Sequence, residues 1–490
     1  MTTSGIFSYA KTDTMAGVVV FLVALPLCLG IAIACGVPPV SGLIAGIIGG
    51  AVVPLISRSH VSVSGPAAGL TSIVLVEVGR IGLGAFLTAT ALAGVFQVIL
   101  GALRAGRFST LVPSAVVKGM LAAIGATIIL KQLPVGAGVE ALADIPAGFH
   151  PGSLLITVVS LVILFGWERT PLARVKWLPS ALIVVLLGAV LGVAFEGIPA
   201  LAMTSAQLVS VPTEGAGALI AALPRPDLAA LGASATWVAA VTVAVVASIE
   251  TLLSIQAVDR IDTLRRKSPP DRELLAQGVA NVASGLAGGL PVTAVIVRSG
   301  ANVAAGGRER WSSIFHAVLL MVAVLALGPL LNRIPLACLA AVLIKVGFGL
   351  CNPRLFRAQY RLGIDQLLPF GVTIAAILAT DLLEGVIIGI IAGVIFVLRQ
   401  NARDVVRMEQ VDGTWNLTFH RDGTFVAKPA IQSAIDQIGD GDRVRIDCTG
   451  EYIDPDVKEL LAAFQVEAAS RSIVVEVIGV DLTQVSASAH

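Results

Sequence analysis

The sequence predicts an all-α membrane protein of fourteen transmembrane segments, built as two inverted sets of seven and followed by a small cytosolic α/β domain. Three observations carry this. Of 490 residues, 56% are hydrophobic and only 13% are charged, with a mean hydropathy of +0.90. A soluble globular domain holds roughly twice that share of charge. Fourteen hydrophobic segments follow one another, and basic residues alternate with them as in a chain threading a bilayer. Finally, two short stretches at breaks in the hydrophobic pattern nearly repeat each other, one in each half.

The segments begin near Thr14, Val40, Gly65, Gly84, Ser114, Leu154, Leu178, Ala235, Arg272, Ser299, Ser312, Pro335, Asp365 and Leu382. Runs such as 235–258 and 382–398 span a hydrocarbon core at a rise of about 1.5 Å per residue. The segments at Gly65, Ser114, Ser299 and Pro335 are short or interrupted. With the N-terminus in the cytoplasm, the inner connections collect Arg104 and Arg107; Arg169, Arg174 and Lys176; Arg260, Arg265, Arg266, Lys267 and Arg272; Arg308 and Arg310; Arg354, Arg357 and Arg361; and Arg399, Arg403 and Arg407. The outer side receives mainly Arg80, Lys131, Arg225 and Arg333. Both ends are therefore expected in the cytoplasm of a multi-pass protein of the cell (inner) membrane. No basic region and cleavage site precede Met15, so the first span is expected to be retained.

Residues 197–231 are poor in Lys and Arg, fall outside, and divide the spans seven and seven. The expected domains are 1–400, with repeat one at about 14–196 and repeat two at about 235–399, and then 401–490. An odd number of spans per repeat forces the halves to insert upside down relative to each other. The net charge of +1 says little about partners. The five cysteines show no CxxC spacing and the five histidines do not cluster, so no disulfide, metal or cofactor is expected. No nucleic-acid-binding motif is present.

The first near-repeat is Val61-Ser62-Val63-Ser64-Gly65-Pro66-Ala67, and the second is Val295-Ile296-Val297-Arg298-Ser299-Gly300-Ala301. In each, alternating β-branched residues give way to small ones. A helix starting there inside the bilayer leaves backbone N–H groups free and presents a positive dipole end. Broken helices at matching places in two halves point to a transport site. This alignment makes Ser64 equivalent to Arg298. Small-residue stripes (Gly42, Gly46, Gly49 and Gly50; Gly278, Gly285, Gly288 and Gly289) precede the breaks and suit close helix packing.

Ionisable residues deep in a span are costly and mark function. Glu250 lies mid-span at the opening of the second half, and Arg298 sits at the second break. Lys118, Lys345 and Glu384 stand nearer segment ends, where snorkelling accounts for them. The expected substrate-binding residues are Ser62, Ser64, Gly65, Arg298, Ser299 and Gly300; the expected coupling-ion residues are Glu250, Thr251 and Ser254. An arginine and two positive helix ends suggest an anion. A monovalent anion beside an ionised Glu250 leaves excess buried charge, which a co-bound H⁺ or Na⁺ offsets. The expectation is a cation-coupled transporter of a small inorganic anion. An uncoupled, channel-like anion binder gains nothing from a buried acid, and no nucleophile–base pair suggests an enzyme.

After Arg399 the chain becomes more polar. Strand-like runs at 415–419, 444–448 and 473–478 alternate with helical patterns near 429–438 and 454–468, as in a small α/β domain.

The chain resembles the SulP family, the bacterial relatives of the solute carrier family 26 anion transporters. The carriers are Leu25-Pro26, Gly36-Val37-Pro38-Pro39-Val40-Ser41-Gly42-Leu43, Ser62-Val63-Ser64-Gly65-Pro66, the Arg272–Gly278 run, and Gly288-Gly289-Leu290-Pro291-Val292-Thr293 leading to Arg298-Ser299. The resemblance implies core and gate domains, an elevator-type motion and a homodimer. It places Glu250 as the family's acid on the eighth span and Arg298 as its base on the tenth. Glu250-Thr251-Leu252-Leu253-Ser254 and Val295–Ser299 look closest to the branch associated with carbonic anhydrases, which implies bicarbonate. Sulfate or a dicarboxylate is the alternative. The best-known sodium-coupled bicarbonate members carry Asp in place of Glu250 and a hydroxyl residue near Ile296, so the departures here favour protons. Asp447-Cys448-Thr449-Gly450 and Ile453-Asp454-Pro455-Asp456 resemble the family's STAS domain, with Pro455 where related domains place a phosphorylatable serine.

Overall fold

The computed structural model describes residues 9–107, 113–146, 148–171, 179–212, 215–380, 382–401 and 405–482. Arg174, Lys176, Leu178 and Arg403, named above, lie outside the described residues. In the first half run α1 (Ala10–Ala34), α2 (Pro39–Ile56), strand β1 (Ser64–Pro66), α3 (Thr71–Ile81), α4 (Leu83–Ala102), α5 (Ser114–Ala137), α6 (Pro151–Gly166) and α7 (Ser180–Phe195). A short α8 (Gly215–Ala222) precedes the second half: α9 (Ser234–Ile261), α10 (Pro270–Leu286), strand β2 (Val292–Ala294), α11 (Ile296–Ala304), α12 (Trp311–Ala326), α13 (Gly328–Leu331), α14 (Leu336–Leu350), α15 (Pro353–Arg361), α16 (Ile364–Ala379) and α17 (Leu382–Asn401). Among the described residues, six helices are long and apolar enough to cross a membrane, and five shorter apolar helices accompany them.

The chain divides into two compact units. The first holds the described residues up to Ala358 and Thr373–Ile387; the second holds Gln359–Val372 and the described residues from Ile388 on. Within the first unit, α1–α4 pack with α9–α12, while α5, α6 and α7 pack with α14. Glycine lets the helices of the first group touch backbone to backbone. A Cβ built on Gly278 of α10 would lie 2.6 Å from the Gly94 carbonyl of α4, and one on Gly285 2.6 Å from the Leu87 carbonyl. Close approach of this kind replaces the hydrophobic drive that lipid does not supply. Lys345 of α14 lies 4.3 Å from the centre of the Phe165 ring of α6, a cation–π contact for a lysine stem lying along apolar surface.

The second unit contains a four-stranded sheet in the order β3-β4-β5-β6: β3 (Val406–Val411), β4 (Thr414–Phe419), β5 (Arg443–Asp447) and β6 (Val474–Ile478). The first pair is antiparallel and the others are parallel. Helices α18 (Lys428–Ile435) and α19 (Pro455–Ser470) supply the connections. Leu417, Ile446, Ile431, Val457 and Leu461 form its fully buried core. The sequence reading found three of the four strands. It passed over β3, although Val406 and Met408 alternate with polar residues and pack on the core. Asp454 caps α19 by accepting the N–H of Asp456 at 2.8 Å, and Pro455 occupies its first turn, where its missing N–H costs nothing.

Candidate functional site

The site grows from two strand–helix units. β1 and β2 pair antiparallel, with Ser64 opposite Ala294 and Gly65 opposite Thr293. Two three-residue strands inside a helical bundle leave backbone groups that neighbours must satisfy. Asn281 of α10 does so for β2: it accepts from the Val292 N–H at 2.6 Å and donates to the Val292 carbonyl at 3.0 Å. Its amide also donates to Gln97 Oε1 of α4 at 2.7 Å. Next to the strands, the Val295 N–H donates to the Val63 carbonyl at 3.0 Å, the Val63 N–H to Ser299 Oγ at 2.9 Å, and Asn302 to the Val61 carbonyl at 2.9 Å. Gly49 admits the strand to α2, since a Cβ there would lie 2.8 Å from the Ser64 carbonyl oxygen.

A helix follows each strand. One begins with a 3₁₀ turn at Ala68–Leu70 and runs into α3; the other is α11, starting at Ile296. Val295 precedes α11 without a side-chain cap, so the first N–H groups of α11 have no partner within the helix. The boundaries differ from the sequence expectation of helices opening at Gly65 and Ser299. Val61–Val63 lead into a strand, whereas Ile296 and Val297 are already helical. Placed by strand and helix start, Arg298 matches Leu70 rather than Ser64, which correct the earlier alignment. Short β-branched runs read the same in a strand and in a first helical turn.

Glu250 of α9 meets the first of these helix starts. The Gly69 N–H donates to its carboxylate, and a Cβ on Gly69 would lie 2.6 Å from Oε1. Its Oε2 is buried without a hydrogen-bond partner, and no ion pair reaches it among the described residues. The acid lines a cavity of about 490 Å³. One wall is a face of α9 through Glu250, Ser254, Ala257 and Arg260; the opposite wall is a face of α5 through Ser114, Lys118, Leu121 and Ile124. Ala68, Gly69 and Val295–Val297 bring both helix starts to the lining. From Glu250 to Arg260 the α9 wall is about 15 Å long.

Of the nine expected site residues, Glu250 and Ser254 line this cavity. The other seven do not. Thr251 Oγ1 accepts the Ala294 N–H at 3.3 Å and ties β2 to α9. Ser64 Oγ accepts from Gln277 at 2.7 Å. Ser299 Oγ donates to the Val295 carbonyl at 2.7 Å. The Ser62 hydroxyl is buried without a partner. Gly65 lies against the Arg298 guanidinium, where a Cβ would collide with Nη1. Gly300 has open space where a Cβ would stand. Arg298 itself is only 1% exposed. Its Nη2 points to the Pro66 carbonyl at 3.5 Å, Cys28 is its side-chain partner, and Nη1 has no partner. Ile296 and Val297 face the cavity, and the helical turn of about 100° per residue carries Arg298 into the packed interior. Its charge thus lies behind the β1–β2 pair instead of at the cavity wall.

The sequence reading missed Gly69, which carried no signal apart from its nearness to the first break. It assigned Lys118 to snorkelling, but Lys118 is part of the cavity wall. It also passed over Glu273, Gln277, Asn281 and Ser284, all fully buried on α10. Their spacing of four, four and three residues puts a polar stripe on one helix face, and that pattern was readable.

Residues 11–363 match the model of the sulfate permease family. The chain is 27% identical over 406 residues to a putative sulfate transporter, YvdB, of Bacillus subtilis, covering 80% of this chain and 74% of that protein. It is 25% identical over 417 residues to the bicarbonate transporter BicA of a Picosynechococcus species, covering 81% and 71%. The solved structure of SLC26A9 shares the fold, with a TM-score of 0.79 at 15% identity over 99% of this chain and 86% of that one. On this evidence the protein is a multi-pass membrane transporter and not an enzyme, and the chain belongs to the sulfate permease family.

Proposed function

We propose that the protein is a secondary active transporter of a small inorganic anion, with bicarbonate as the first candidate, and that Glu250 carries a coupled proton. The single observation behind this is the carboxylate of half-buried Glu250, its Oε2 buried without a partner, held on a helix start at Gly69 and facing a cavity that also receives the start of α11. Two helix N-termini and the Arg298 charge favour an anion there. Arg298 balances one negative charge over distance, so an anion entering beside an ionised Glu250 needs one more positive charge. A proton on Glu250 supplies it for a monovalent anion, whereas a dianion calls for two. The family relative BicA is named for bicarbonate, which agrees with a monovalent substrate. Sodium fits less well, because a hard cation prefers a shell of oxygens. The Thr251 hydroxyl already serves Ala294, and position 296 is aliphatic.

In this reading the membrane part has fourteen spans as two inverted sets of seven, with both ends in the cytoplasm of an inner membrane. The group of α1–α4 with α9–α12 moves as the carrier against α5–α7 and α14, in a homodimer. Lys118 and Arg260 stand along the cavity toward the cytoplasm, where cations raise the local anion concentration. Residues 405–482 form a STAS-like domain that stabilises or dimerises.

Uptake of labelled bicarbonate and sulfate into liposomes, under imposed pH or Na⁺ gradients, tests the proposal. Bicarbonate is expected to accumulate down a proton gradient, and Glu250→Gln is expected to abolish that dependence while retaining some anion binding. No flux above empty vesicles for either anion overturns the substrate, and unchanged coupling in Glu250→Gln overturns the role of the acid. Sulfate is the second reading, since the B. subtilis relative is named for it. Flux that ignores every gradient would indicate a channel-like protein.

A further inference from the structure

Glu273 is a fully buried carboxyl group, and the mechanism above does not use it. It lies one turn into α10. One oxygen, Oε2, is hydrogen-bonded to the Ser57 hydroxyl. The other, Oε1, accepts from Gln277 Nε2 at 3.0 Å, and the same amide donates to Ser64 Oγ at 2.7 Å. Gln277 Oε1 is buried with no partner. Among the described residues, no cation is bonded to the acid. Neither α2 nor α4 carries a charged residue. Asp259 of α9 adds like charge. Arg272 is exposed, and Arg310 donates to the carbonyls of Pro54 and Ser57 instead. The start of α10 offers partial positive charge, but with only two neutral donors an ionised carboxylate stays poorly compensated in a low-dielectric interior.

We propose that Glu273 is a second proton-binding group of the transport cycle, linked to the β1–β2 pair through Gln277 and Ser64; this rests on the proton-coupled reading above. With Glu273 ionised, the Gln277 amide donates to both Glu273 and Ser64. When a proton from water binds Oε1, the new O–H needs an acceptor. Rotation of the Gln277 amide brings its free oxygen to that proton and withdraws the N–H from Ser64. Ser64 opens β1, and four residues further on the chain enters the helix start that holds Glu250. The charge of Glu273 is thus expressed as a hydrogen bond made or lost on the strand beside the site.

Infrared difference titration of the purified protein in lipid gives a readout independent of flux. In the Glu250→Gln background a pH-dependent protonated-carboxyl band is expected, and adding Glu273→Gln should remove it. Absence of the band, or its persistence without Glu273, overturns the proposal. Should Glu273→Gln fail to fold, Ser57→Ala keeps the acid, takes away one hydrogen bond and must shift the band; an unshifted band overturns it. In flux assays Glu273→Gln should still transport, with the steepness of the pH dependence falling from two protons to one, and Gln277→Leu should do the same while keeping the band. A wild-type pH profile in Glu273→Gln overturns the role in transport. Absence of flux in the parent protein would refute the transport reading, while the infrared arm still decides whether Glu273 takes up a proton.

Discussion

Replacing Gly69 with alanine is the smallest change that separates Glu250 from its helix start. Gly69 has an ordinary 3₁₀ backbone, so alanine brings no conformational strain. The new methyl would lie 2.6 Å from Oε1 and 2.8 Å from both Cδ and Oε2 of Glu250. Neither the backbone of Gly69 nor that of α9 yields easily, so the carboxylate must swing away. The loss has two parts: overpacking, about 1–3 kcal/mol, and a hydrogen bond to an ionised group, about 1.5–3 kcal/mol. Moving the acid relieves part of the first, so roughly 2–4 kcal/mol remains. At about 1.4 kcal/mol per factor of ten, proton-driven uptake per unit KM should fall roughly 30- to 1,000-fold. Gly79 of α3 is the control, because a Cβ there meets nothing within 4 Å, and Gly79→Ala should change uptake less than about twofold. Liposome flux against external pH is the assay. Wild-type uptake and pH dependence in Gly69→Ala would refute the placement of the acid on that helix start.

Two further predictions follow from buried polar groups. Asn281→Leu removes both hydrogen bonds to Val292 and strands Gln97 Oε1; at about 1–3 kcal/mol per stranded group, the melting temperature in detergent should fall sharply, and an unchanged melt would mean that β2 does not depend on Asn281. Arg266 bonds Asp262 and Glu309 at 2.9 Å each. Burial alone would raise the Asp262 carboxyl, but the Arg266 guanidinium and the Leu264 and Arg266 N–H groups outweigh it and hold it below the usual range. That stabilisation is present above the ordinary carboxylate pKa of about 4 and fades as the pH falls through the lowered value. Arg266→Leu should therefore cost about 3 kcal/mol at neutral pH, with the gap to the parent protein closing in acid; a constant gap would show that the pair's charge is not what stabilises this corner.

Much of the architecture was legible before any coordinates. Hydrophobic runs reflect the solvent each residue sees, and that preference is local, so a mostly helical membrane protein with a small polar α/β tail could be read directly. The cores of β4, β5, β6 and α19 were visible for the same reason. Glu250 was identifiable because an acid amid 241–255 has few reasons to be there. The role of the repeated stretches was only half legible. Their composition announced a break, but Ile296 and Val297 were read together with Val61 and Val63, and two or three β-branched residues cannot tell a strand from a helix start. Serines near the breaks were read as a lining for the anion. Ser64 instead accepts from the Gln277 amide of α10, and Ser299 bonds the backbone of Val63 and Val295 beside the β1–β2 pair.

The sequence by itself determined that this chain is a multi-pass membrane protein whose hydrophobic pattern breaks at two similar stretches with one acid and one arginine among the ionisable residues in its apolar segments, because each of these is a matter of residue type and spacing along the chain. Only the tertiary structure decided that Gly69 receives Glu250, that Arg298 turns inward behind the strands, and that Glu273 hangs on Ser64 through Gln277. Those facts depend on which face of one helix meets which turn of another some two hundred residues away, and no local pattern encodes that meeting.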